Sequence, residues 1–259
     1  VVRYKFSGSL SLSYMDNRYG EKGLADYTKS RDFKVSWSHS QNRLSSPYTV
    51  FSAGVNFSTS SYERNNLDSY YNPDLLSQNT KSSSISLSQS FPKAPINISV
   101  GANLYQRTSD STISLSLPNV TFSLNKIYPF KFKNRVGKEK WYERFGFNYT
   151  MRFENSVEVK ENLLFKSPYR ETWNYAFDHS IPMSFPITFL KYFTLTQSFS
   201  YHERWYFKRY DQSWNEELNQ VQKDTIYGFN RVYDFTTSVS LSTKFYGFYK
   251  PVKIGRAHV

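Results

Sequence analysis

Apolar and polar residues alternate along almost the whole chain. Tyr4, Phe6, Leu10, Leu12 and Tyr14 share one parity, and Arg3, Lys5, Ser7, Ser9, Ser11 and Ser13 share the other. A period of two places the two sets on opposite faces of a β-strand. The pattern returns at Phe33–Trp37, Phe51–Phe57, Ile85–Phe91 and Ile96–Leu104. It returns again at Phe145–Phe153, Trp173–Ile187, Phe193–Trp205 and Phe235–Phe245. One segment changes phase: Ile113, Leu115 and Leu117 are odd, Val120, Phe122 and Leu124 even, with Pro118 and Asn119 at the switch. A β-bulge there would return the apolar set to one side. About ten strands are expected, with little helix. The fold class is all-β, an antiparallel meander.

What such a sheet packs against follows from strand length and composition. Many rows run to nine residues or more, enough to cross a bilayer when tilted. Strands of soluble sandwiches are usually nearer five or six. Hydrophobic content is 39%, yet aromatic residues make up 19%, and mean hydropathy is −0.63. A barrel wall needs apolar residues only at alternate positions, so its average stays low, and Tyr and Trp gather where membrane meets water. No run approaches the roughly 18 apolar residues of a membrane-crossing helix. The meander is therefore expected to form part of a large transmembrane outer-membrane β-barrel. A soluble all-β domain is the competing reading.

The links support a barrel. Long polar links are expected at 15–31, 61–82, 156–172 and 208–231, and shorter ones at 41–47, 92–94 and 188–191. Long loops on one rim and short turns on the other are the barrel pattern. Residues 108–110 are tight where a long loop is due, and 127–141 are long where a short turn is due. Pro182 and Pro186 interrupt a strand row; a weakened seam or fraying near the short-turn rim would accommodate them, and fraying is preferred. The polar face is small: Ser84, Ser86, Ser88 and Ser90 on one strand, Thr236, Ser238, Ser240 and Ser242 on another. Small hydroxyl residues leave room in a lumen, and no dense belt of lumenal charge is expected.

No site chemistry emerges. There is no cysteine, hence no disulfide framework or thiolate ligand. The histidines are His39, His179, His202 and His258. His179 and His202 lie on adjacent expected strands, so a His–Glu203 or His–Asp site is conceivable, but a polar residue near a strand end is the simpler reading. Gly-rich phosphate loops, zinc spacings and EF-hands are missing from the sequence. No catalytic, cofactor-binding or metal residue is assigned. The net charge of +12 suggests nucleic acid, but the charges sit in expected loops, where a basic rim suits acidic lipid headgroups as well. Basic and aromatic residues interleave from His202 to Tyr210. That could stack bases, but an aromatic girdle beneath a basic loop explains it better, and no nucleic-acid partner is expected.

Residues 114–133 (SLSLPNVTFSLNKIYPFKFK) resemble the LPS-assembly outer-membrane protein family (LptD) of Bacteroidetes-type bacteria. Residues 90–106, 179–206 and 239–251 extend the resemblance, so that it covers most of the chain from about residue 80. It implies a large barrel in the cell outer membrane preceded by a periplasmic jellyroll. It implies lipopolysaccharide as cargo, delivered to the outer leaflet among membrane lipid. A plug lipoprotein (LptE-like) would sit inside the barrel, and periplasmic LPS-bridge proteins would feed it. No functional residue is carried over. Another large barrel, such as a TonB-dependent receptor or a porin, and a barrel-embedded hydrolase are the alternatives, with a soluble β-rich adhesin behind them.

The chain begins without Met or a signal-like segment and is expected to be a piece of a longer protein. Residues 1–253 are expected to form a partial β-barrel domain. Residues 254–259 (IGRAHV) resemble the translation of a common sequencing adapter and are set apart as a tail.

Overall fold

The computed structural model describes residues 5–72, 80–132, 137, 139–164, 166, 172–189, 192–216 and 219–244. The expected tail at 254–259 lies outside them. Ten strands form one sheet: β1 (Phe6–Tyr19), β2 (Thr28–Gln41), β3 (Thr49–Ser58), β4 (Thr80–Phe91), β5 (Ile96–Arg107), β6 (Thr112–Ile127), β7 (Gly146–Lys160), β8 (Asn174–Phe189), β9 (Phe193–Asn215) and β10 (Gln220–Thr243). Each pairs antiparallel with its neighbours in chain order. The sheet is an all-β meander that does not close, and β1 and β10 each keep an unpaired edge among the described residues. Helix is confined to short turns such as α1 (Tyr62–Asn65) and α2 (Leu67–Tyr70).

The register joins the apolar rows into one face. Leu12 faces Val35, which faces Phe57; Leu87 faces Val100, which faces Val120; Phe153 faces Phe177, which faces Trp205. Keeping that face continuous takes bulges. On β6 the pairs Ser116↔Ser156 and Asn119↔Glu154 enclose one extra residue, and the ladder to β5 shifts beside it, between Gly101 and Asn103. This is the bulge expected at Pro118 and Asn119, and it cancels the phase change. A second extra residue lies between Leu124 and Ile127, and a third on β10 between Tyr227 and Asn230.

Several expectations need correction. The stretches 15–31 and 208–231 are mostly strand: β1 runs on to Tyr19, β2 starts at Thr28, and β9 and β10 are 23 and 24 residues long with only four residues between them. Charged residues there look like loop, but backbone ladders hold strands whatever the side chains. Likewise β7 continues to Lys160. Beyond Tyr206, the last β9 partner of β8, the β9–β10 pair runs on as a ribbon with no flanking strand among the described residues. Nor does the strand carrying Pro182 and Pro186 fray: β8 is continuous, with Pro182↔Ser200 and Pro186↔Thr196. Its ladder to β7 skips Ile181 and Pro182 and ends at Ser184, so both prolines sit where β7 offers no partner.

The tight turn at 108–111 is tied to the end of β7: Lys160 donates to Asp110 O at 2.6 Å and Glu161 N–H to Ser111 O at 2.9 Å. The 59–72 link folds onto the polar face: Tyr62 Oη lies 2.6 Å from Ser13 Oγ, and Asn65 O accepts from Asn17 Nδ2 at 3.0 Å. Asp32, 1% exposed, accepts from Ser30, Thr59, Ser61 and Asn65. Glu63 accepts from Lys34 at 2.9 Å, Lys81 at 3.0 Å and Ser69 at 2.5 Å. Burial alone would raise the Glu63 carboxyl, but these donors outweigh it and hold its pKa at about 2. Ser60 reaches Glu161 at the end of β7. On the apolar face lies a small buried cluster of Ile113, Leu115 and Val157, with Phe57, Leu104, Leu164 and Trp173 against it.

Candidate functional site on the two faces of the sheet

The apolar face stays largely uncovered. Leu10, Leu12 and Tyr14 at one edge and Phe235, Val239 and Leu241 at the other are each at least 60% exposed. The buried hydrophobic core among the described residues is Ala53, Tyr62, Ile113, Leu115 and Val157. A water-soluble domain of this length would bury about three quarters of its extended surface, and among the described residues no second sheet lies against this one.

Rings gather at both ends of that face. Towards the long-link rim, Tyr175 stacks on Phe207 at 4.8 Å, and Phe229 meets Trp205 and Phe207 at 5.9 Å. Towards the other rim, Phe185 meets Trp141 at 5.3 Å and Phe145 at 6.4 Å. Trp141 and Phe145 belong to the long 128–145 link, so the link that breaks the short-turn rule supplies part of this ring cluster. Tyr175 and Phe185 lie ten residues apart on β8. At about 3.3 Å per residue and a tilt near 40°, that is about 25 Å of height, the thickness of a barrel's apolar band.

One ionisable cluster interrupts the apolar face. His179 stands opposite Glu203, the pairing that the sequence left conceivable. Glu203 accepts from Tyr201 at 2.7 Å and Trp205 at 2.8 Å, with Arg231 at 3.3 Å. His179 Nδ1 bonds Tyr149 Oη at 2.8 Å. The carboxylate is thus committed to donors and not poised as a base. His202 lies on the opposite face beside Ser200 at 3.0 Å, and His39 sits among Phe6, Trp37 and Phe51. His258 is outside the described residues. Among the described residues no group of three or more His, Cys, Asp or Glu could hold a metal ion.

The polar face has two regions. Over β3 to β6 it is small, with Gly54, Ser84, Asn103, Ser114 and Ser116 lining a shallow groove. Serines pair across strands, Ser9 with Ser38 at 2.9 Å and Ser52 with Ser86 at 2.8 Å. Over β7 to β10 it carries a charged ladder that the sequence pattern does not reveal. Arg152 faces Asp178, and Asp178 faces Arg204. Arg204 lies 3.6 Å from Asp178 and 3.4 Å from Asp234. The signal is one even-numbered charge on each of four successive strands, but only register turns it into a ladder.

The segment 202–210 divides between the faces. Trp205 and Phe207 join the rings of the apolar face. Tyr206, Lys208 and Tyr210 point the other way and, with Glu154, Asn174 and Ala176, line a groove of about 340 Å³. These residues stand on strand and not in a loop.

Comparison with known proteins adds one positive finding. A family model described as LptD protein matches residues 1–258. No curated protein matches.

Proposed function

The chain belongs to the LptD protein family, whose role is lipopolysaccharide transport and assembly, and on that premise we propose that it forms part of the wall of an outer-membrane barrel that delivers lipopolysaccharide to the outer leaflet. The family match along the chain carries this reading. The physics of the sheet supports it. The exposed apolar face, with rings at both ends about 25 Å apart, fits contact with lipid. The polar face then lines the lumen, where small hydroxyl residues leave space and Arg152, Asp178, Arg204 and Asp234 offer fixed polar contacts. A plug lipoprotein would rest against that face, and periplasmic bridge proteins would supply the cargo from the short-link rim. The strands beyond β1 and β10 needed for closure belong to the rest of the full protein.

The test is depletion of the full-length protein in the bacterium that makes it. Newly made lipopolysaccharide should stop reaching the cell surface and accumulate behind the outer membrane, as read by surface labelling of intact cells against total lipopolysaccharide. Undiminished surface arrival during depletion would overturn the reading.

A further inference from the structure

The polar side of the β9–β10 ribbon carries a row of exposed rings that the wall of a barrel does not need. On β9, Tyr206, Tyr210 and Trp214 recur at every fourth residue, so they share one face about 13 Å apart. They are 38%, 50% and 59% exposed. Tyr227, opposite Lys208, is 51% exposed. These rings lie on the face opposite the lipid-side rings, and the last two stand beyond the end of β8. Past the end of β8 the ribbon presents Trp214 and Val221 as a cross-strand pair to solvent.

Polar groups stand between the rings. Lys223 lies 3.7 Å from the centre of the Tyr210 ring, Gln212 pairs with Lys223, and the groove at the base adds Asn174, Lys208 and Glu154. An acyl chain would want continuous apolar surface. A folded protein partner would want the rings contiguous. A sugar chain offers what this row matches: C–H faces that lie on rings, and hydroxyl or acidic groups at their edges. Nucleic acid also stacks on rings, but the groove at the base of the row holds Glu154, which opposes a polyanion.

We propose that this face is a saccharide-binding track, in which Tyr206, Tyr210 and Trp214 stack on sugar rings and Lys208 and Lys223 meet acidic substituents. The proposal rests on the lipopolysaccharide reading, since it assigns the saccharide part of that cargo to these residues. It places the saccharide on a path from the polar face outward past the long-link rim.

The test uses full-length protein in detergent and the saccharide released from its own lipopolysaccharide by mild acid, with the lipid portion and a single-stranded DNA oligonucleotide as separate probes. The saccharide should bind the parent protein. Tyr210→Ala with Trp214→Ala should weaken it about tenfold, while Tyr210→Phe with Trp214→Phe retains it and the lipid portion is unaffected. A second measurement needs no substitution: saccharide should slow trypsin cleavage after Lys208, Arg209 and Lys223 in the parent protein. Saccharide affinity unchanged in a folded alanine variant, or no protection of the parent ribbon, overturns the track. Tighter binding of DNA than of saccharide overturns it too. Depletion that leaves surface lipopolysaccharide intact while the saccharide still binds would instead remove the transport reading and leave the track standing.

Discussion

Ile181 and Ser180 are neighbours on β8 with opposite surroundings. Ile181 stands opposite Tyr201 in the apolar rows, and Ser180 opposite His202 on the polar face. Ile181 also lies about midway between the two ring clusters. Arginine at mid-membrane on the lipid side costs roughly 2–4 kcal/mol, and much less facing a lumen. Ile181→Arg in the full-length protein should therefore reduce heat-modifiable folded barrel in membrane fractions, while Ser180→Arg leaves it near the parent level. Equal loss from both would mean that both faces are packed. A second residue-scale expectation concerns Glu63. Its carboxyl is held at about 2 against an ordinary 4.5, so the charged form is the one the fold favours. The stabilisation it gives the 59–72 strap is complete above about pH 5 and lost as pH falls from there towards 2. Protease protection of the strap should fall over that window, and Glu63→Gln should weaken it and reduce its pH dependence, leaving the part that Asp32 contributes. Parent protection that stays flat down to pH 2 would contradict this account. Alternation alone assigns Ile181 and Ser180 to their faces, because a period of two leaves each residue one choice of side. Glu63 is not legible in the same way: a carboxylate in a polar link gives no sign that Lys34 and Lys81, far apart in sequence, close on it.

At the scale of elements, alternation is readable wherever a strand carries an apolar face. That is why ten strands and the bulge at Pro118 and Asn119 can be placed from sequence. It fails where strands leave the apolar band. Asp16, Arg18, Lys29 and Arg31 cluster near the end of the first hairpin, with Asp16 3.2–3.6 Å from the three cations. Residues 208–227 are nearly as polar, and both stretches read as loop. Their backbones nevertheless keep the ladder, because pairing depends on the neighbouring strand and not on side-chain polarity. The charged ladder is hidden for a related reason: one charge per strand carries no weight until register aligns the four. The long ribbon has a direct consequence for orientation. Long links of such barrels face outward, so an epitope inserted after Glu216 should be detected on intact cells expressing the full protein. Detection only after the outer membrane is permeabilised would reverse the assignment of the two rims.

The whole molecule is a sheet with two surfaces and almost no interior. Under the proposed function, its stability as a wall depends on what lies against each surface: lipid on the apolar side, water and a partner on the polar side. Removed from both, the apolar rows and the free edges of β1 and β10 would drive association. The absence of cysteine in the chain makes the central claim directly measurable. Single cysteines placed in turn from Tyr175 to Phe185 in the full-length protein, with any native cysteine elsewhere removed, can carry a small environment-sensitive fluorophore. The protein is then reconstituted into bilayers whose acyl chains bear a bromine quencher. Odd positions, led by Phe177, Ile181 and Met183, should be quenched by the brominated chains, and even positions, such as Ser180 and Ser184, should not. Quenching that is absent at every position, or that fails to alternate, would contradict the assignment of this sheet to a membrane wall.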